Sequence, residues 1–114
     1  MSGQEWVKGF PGAVTVCDTE GRIIEMNDKS LEDFAAHGGA KLIGTNVLDC
    51  HPEPSRSMLK NMMDERRANV YTIQKKGKRK LIYQAPWHKD GIYAGFVELS
   101  LELPWDMPHF NRDI

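Results

Sequence analysis

Cysteine is scarce in this chain: Cys17 and Cys50 are the two among 114 residues. They form neither a C-x-x-C pair nor a dense set of regular spacings, which excludes a disulfide-stapled small fold. Two reduced thiols of this kind point to the cytoplasm. An excess of one charge is missing as well. The 15 basic and 16 acidic side chains leave a net charge of -1, so no overall field draws the protein to nucleic acid or to an anionic membrane. No apolar run approaches the roughly 20 residues that span a bilayer. The opening MSGQEWVKGF lacks the apolar middle of a secretory signal. Ser–His–Asp sets, paired-carboxylate patterns and glycine-rich phosphate loops are also wanting, so the usual marks of an enzyme are not there.

What is present suits one compact domain with a single core. With 40% hydrophobic and 27% charged residues, the composition is that of an ordinary globular protein. In GAVTVCDTEGRIIEMN (12–27), Val14 and Val16 alternate with Thr15, Asp18 and Gly21 suit a tight reversal, and Ile23, Ile24 and Met26 follow. That pattern predicts two short strands around a turn. The period then changes: Leu31, Phe34 and Ala35 fall three and four apart, with Asn27 or Asp28 as cap and Gly38-Gly39 as stop. A second helix is predicted over 55–67, with Met58, Leu59, Met62 and Met63 on one side and Arg56, Lys60, Asp64 and Arg67 on the wet side. The remainder reads as an antiparallel meander: 69–74, the tip KKGKRK (75–80), 81–88, the turn KDG, and 92–103. In the last run Val97, Leu99, Leu101 and Leu103 alternate with Glu98, Ser100 and Glu102, giving one dry and one wet face. The expected fold is α+β, a five-stranded antiparallel sheet with helices packed on one face. Residues 1–11 form an N-terminal cap segment, 12–103 the domain, and 104–114 an extended tail.

Element order and landmarks together resemble a PAS domain, the small sensory fold of bacterial signalling proteins. The landmarks are the hairpin VTVCDTEGRIIEMN with Asp18, Gly21 and Asn27, then Leu42-Ile43-Gly44, Pro86, the turn KDG, and Gly95 in the last strand. They span residues 12–103, and their order rather than any single motif carries the likeness. The resemblance implies a curved sheet clasping helices around an internal pocket, commonly as a dimer, in a stand-alone sensor or adaptor without catalytic activity. Candidate ligand contacts are then Cys50, His51, Met58, Met62, Tyr83 and Leu99, around a small apolar ligand.

The stretch GTNVLDCHPEPS (44–55) sharpens this. Adjacent Cys50 and His51 make a poor catalytic pair, because neighbouring side chains usually diverge. His37, His88 and His109 lie far off in sequence and show no ligand spacing for zinc. The plainer reading is a turn held by Pro52 and Pro54, with Glu53 or Ser55 capping the helix. Flavin-binding PAS photoreceptors carry Gly-x-Asn-Cys-Arg. Here Val47 stands where that cysteine belongs, which disfavours flavin. Haem-binding PAS sensors show a Pro-Glu-Pro-x-Arg turn like Pro52–Arg56, but their axial His lies on the following helix, where this chain has only methionines. A haem- or metal-based redox sensor using His51 is therefore the alternative, and an enzyme acting through Cys50 a third reading. Met58, Met62 and Met63 more simply line a core or an adaptable pocket. KKGKRK reads as a solvated hairpin tip rather than a phosphate grip. Tyr71, Tyr83 and Trp87 are either ordinary strand residues or ligand contacts. Trp6, Val7 and Phe10 suit a segment that covers this sheet or a partner's in a homodimer. The signalling partner is left open.

Overall fold

The computed structural model describes residues 5–113, without the side chain of Cys50. A short helix α1 (Glu5–Gly9) precedes β1 (Ala13–Cys17) and β2 (Ile23–Met26). Helix α2 (Asp28–Asp33) follows, then three single 3₁₀ turns over Ala35–His37, Gly39–Leu42 and Val47–Cys50. Helix α3 (Ser55–Glu65) leads into β3 (Asn69–Lys75), β4 (Lys78–Lys89) and β5 (Ile92–Leu103). The five strands form one antiparallel sheet in the order β2-β1-β5-β4-β3, so the first and last strands are neighbours. This is the α+β sheet expected from the sequence. Among the described residues no helix is long and apolar enough to cross a membrane.

Local chemistry fixes each corner. Asp18 Oδ1 accepts from the backbone N–H of Glu20 and Arg22, and Gly21 takes the left-handed conformation at φ 86° that closes the β1–β2 turn. The β3–β4 and β4–β5 turns are two-residue reversals, Lys76-Gly77 and Asp90-Gly91, with positive φ at all four positions. That handedness matches the twist of the strands they join. Asn27 caps α2 and does more. Its Oδ1 accepts from Ser30 N and Val14 N, while its Nδ2 donates to the carbonyls of Val7 and Gly12. One side chain thereby joins α1, β1 and α2. The second predicted helix ends at Glu65, where Arg66 turns left-handed at φ 53°.

Helices α2 and α3 lie on one face of the sheet. Thr15 Oγ1 bonds Ser30 Oγ of α2 at 2.7 Å, and Cys17 packs with Ile23 and Met26 against Leu31, Phe34, Leu42 and Val47. Paired residues on neighbouring strands share a face. Cys17 pairs with Phe96, Thr15 with Glu98, and Ala13 with Ser100. The face of β5 towards the helices is therefore Phe96, Glu98 and Ser100. Val97, Leu99, Leu101 and Leu103 point the other way. The predicted alternation is real, but its apolar side is the outer one. Phe10 covers part of that side: a Cβ on Gly12 would meet both Phe10 and Leu101.

Candidate functional site: a cavity between α3 and the sheet

The stretch 44–55 is built as a clamp. Asn46 Oδ1 accepts from Leu48 N and starts the Val47–Cys50 turn, while Asn46 Nδ2 donates to Glu20 O of the opposite hairpin. The Glu53 carboxylate receives Ser57 N and Ser57 Oγ, which satisfies the first turn of α3 and holds the carboxyl below its usual pKa. His51 Nδ1 lies 2.8 Å from Val47 O. A carbonyl only accepts, so Nδ1 carries the proton and Nε2 is left as an acceptor in the neutral ring.

That clamp positions α3 over the sheet. Beneath it lies a cavity of about 40 Å³. Its roof is Leu59, Met62 and Met63 of α3 with Val47 and His51; its floor includes Thr15, Cys17, Gln84, Phe96 and Glu98. The floor carries a row of polar side chains across the strands. Asn69 Nδ2 donates to Gln84 Oε1 at 3.1 Å, and Gln84 Nε2 to Glu98 Oε1 at 2.8 Å. Thr15 lies opposite Glu98 on the far side of β5. Burial first, then the charges of Glu98 and Asp18, push the Cys17 thiol up to about 12. Burial and the Glu98 charge raise Tyr71 as well.

A family profile described as the PAS fold matches residues 7–103. The chain belongs to the PAS family. Solved PAS structures and their kin share the fold at low identity. The PAS domain of BvgS from Bordetella pertussis superposes with a TM-score of 0.64 at 21% identity, over 92% of this chain and 86% of that one. A C-terminal domain from Streptococcus mutans gives 0.69 at 18%, over 84% and 78%. The Aer2 receptor of Vibrio cholerae, a dual PAS-heme oxygen sensor, gives 0.64 at 14%, over 86% and 99%. Identities this low speak for fold alone. No curated protein matches the chain in sequence.

Within this PAS domain the six candidate contacts separate. His51 and Met62 meet at the cavity, Met62 with only 1% of its surface exposed. Met58 is 64% exposed, one turn before Met62 near the start of α3, and does not line the cavity. Tyr83 and Leu99 are paired across β4 and β5, and Leu99 also pairs with Val14. All three belong to the outer face, so Tyr83 and Leu99 are not at the cavity. The side chain of Cys50 lies outside the described residues. Sequence reasoning missed Gln84, Phe96 and Glu98. The available signal was that Phe96, Glu98 and Ser100 share one parity of β5, but only the pairing of β5 with β1 shows that this parity faces the helices.

The cavity also tests the cofactors. Haem and flavin need pockets of several hundred Å³, and the space here is about 40 Å³, with buried Met62 in its wall. The residues do not fit either ring system, although His51 lines the wall. Among the described residues no group of three or more His, Cys, Asp and Glu side chains is placed to hold a metal ion.

Proposed function

We propose that this PAS domain is a non-catalytic sensory module: a small ligand held between α3 and the sheet biases the packing of α3, and the outer face of the sheet passes that change on. The observation that carries the reading is the cavity roofed by the α3 methionines. Flexible thioether side chains re-pack around a guest at little cost. Met63 also lines an open cleft with Glu20, Lys60, Asp64 and Arg66, so it stands between the cavity and the surface as a natural entry point. A thiol pushed to about 12 is protonated at neutral pH, which supports a role for Cys17 in packing rather than nucleophilic attack.

Output would leave by the outer face. Val16, Leu81, Val97, Leu99, Leu101 and Leu103 are half-buried there, with Tyr83 and Val70 exposed at its margin. A contiguous apolar sheet face favours a partner. The occupant we propose is a second copy, with α1 and its exposed Trp6 completing the interface in a cytoplasmic homodimer.

Methyl NMR under xenon pressure tests the cavity without knowledge of the ligand, because dry cavities take up xenon. The Met62 and Met63 methyl signals should move while those of exposed Met58 and Met107 stay fixed. Unmoved Met62 and Met63 signals would mean a solid core, and the sensory reading would fail.

A further inference from the structure

The cavity combines two features that narrow its ligand. Its walls are hydrocarbon, thioether and the Phe96 ring, from Leu59, Met62, Met63 and Phe96. Its floor holds one formal charge, the Glu98 carboxylate. Glu98 receives a hydrogen bond from the neutral Gln84 amide, and none of the ion pairs among the described residues includes it. Glu98 is half-buried, and a carboxylate that gives up part of its hydration with no cation facing it is favoured by a cationic partner. No lysine or arginine is among the lining residues.

We propose that the cavity selects a small protonated amine, with its N–H groups on the Glu98 carboxylate and its carbon atoms against Met62, Leu59 and Phe96. The Phe96 ring and His51 line the same space, so the ring can attract a cation and a His51 with its proton on Nδ1 can accept through Nε2. A water needs about 10–15 Å³ of such space, so 40 Å³ holds roughly three non-hydrogen atoms. Ethylammonium has that size. Acids and phosphate esters of similar size meet the wrong sign of field. This inference rests on the small-ligand reading above and adds the charge of the ligand to it.

The test compares ethylammonium chloride, ethanol and sodium acetate on the purified protein, with sodium chloride balancing ionic strength. Melting temperature and the Met62 and Met63 methyl shifts are followed together. Ethylammonium should raise the melting temperature by about 5 °C at tenfold its Kd and move both methyl signals; ethanol and acetate should do neither. Glu98→Gln, which keeps the shape and removes the charge, should abolish the response. Should that variant fail to fold, the comparison of ethylammonium with ethanol on the natural chain still decides. Equal responses to ethanol and ethylammonium, or an unchanged response in Glu98→Gln, would overturn the amine assignment and leave a small-ligand sensor standing. No response to any of the three, with no xenon effect, would overturn both.

Discussion

Replacing Asn27 probes how the first third of the domain is held together. The residue is 3% exposed, and its side chain makes four short hydrogen bonds, two as acceptor from Val14 N and Ser30 N and two as donor to Val7 O and Gly12 O. Truncation to Ala removes a helix cap worth about 1 kcal/mol. It also strands Val14 N and Gly12 O, at about 1 kcal/mol or more each. A total loss of about 3 to 4 kcal/mol follows, a large part of the roughly 10 kcal/mol typical of such a domain. In urea unfolding, with a slope near 1.5 kcal/mol per molar, the midpoint should fall by about 2 M. The Asp variant separates the two roles. It caps a helix as well as Asn does, but it sets a carboxylate oxygen against the Val7 and Gly12 carbonyls. It should therefore lose at least as much as Ala. An Asp variant within about 0.5 kcal/mol of the natural chain would show that the donor side of Asn27 contributes nothing, and the account of α1 docking would be refuted.

Four further outcomes are expected. Gly95→Ala should destabilise by about 3 kcal/mol or more, since its φ is 142° and a Cβ there would lie 2.0 Å from Cys17 O; denaturation midpoints check this. Met62→Ala should cost about 3 kcal/mol, whereas exposed Met58→Ala should change stability by less than about 0.5 kcal/mol; equal effects would contradict the orientation of α3. Because the folded Cys17 pKa of about 12 lies above the unfolded value near 8.5, the unfolded chain loses this proton first. Stability is then fully present below about pH 8.5 and falls by up to about 1.4 kcal/mol per unit on the way to pH 12, a slope that Cys17→Ala should reduce in unfolding series at rising pH. Leu99→Asp on the outer face should shift sedimentation from dimer to monomer while leaving the circular dichroism of the fold in place.

Much of this molecule was legible in its residues. Asp18 with Gly21, Gly77 and Gly91 marked the turns, because positive φ and Asx bonding need those side chains or their absence. Asn27 marked the start of α2, and Met62 sat in a helical period that made it core or pocket. The capping role of Glu53 was legible too, although through Ser57 rather than at the cap position itself. Glu98 and Gln84 were not, since a polar residue in a strand says nothing about which strand lies opposite it. The joining of Asn69, Gln84 and Glu98 exists only because β3, β4 and β5 share one register.

The sequence by itself determined the five strands, helix α3, their order and the two-residue alternation of β5, for these follow from local sterics and hydrogen bonding within a few residues. The helix expected to run to Gly38-Gly39 instead ends at Asp33 and gives way to 3₁₀ turns, and α1 has no such local signature. The sequence did not determine which side of the β5 alternation the helices would cover. A period of two defines two faces and leaves them equivalent until another element packs on one. The bond between Thr15 and Ser30 and the pairing of Thr15 with Glu98 made that choice. They turned the leucines of β5 outward, placed Tyr83 and Leu99 away from the cavity, and put a lone carboxylate under the methionines of α3.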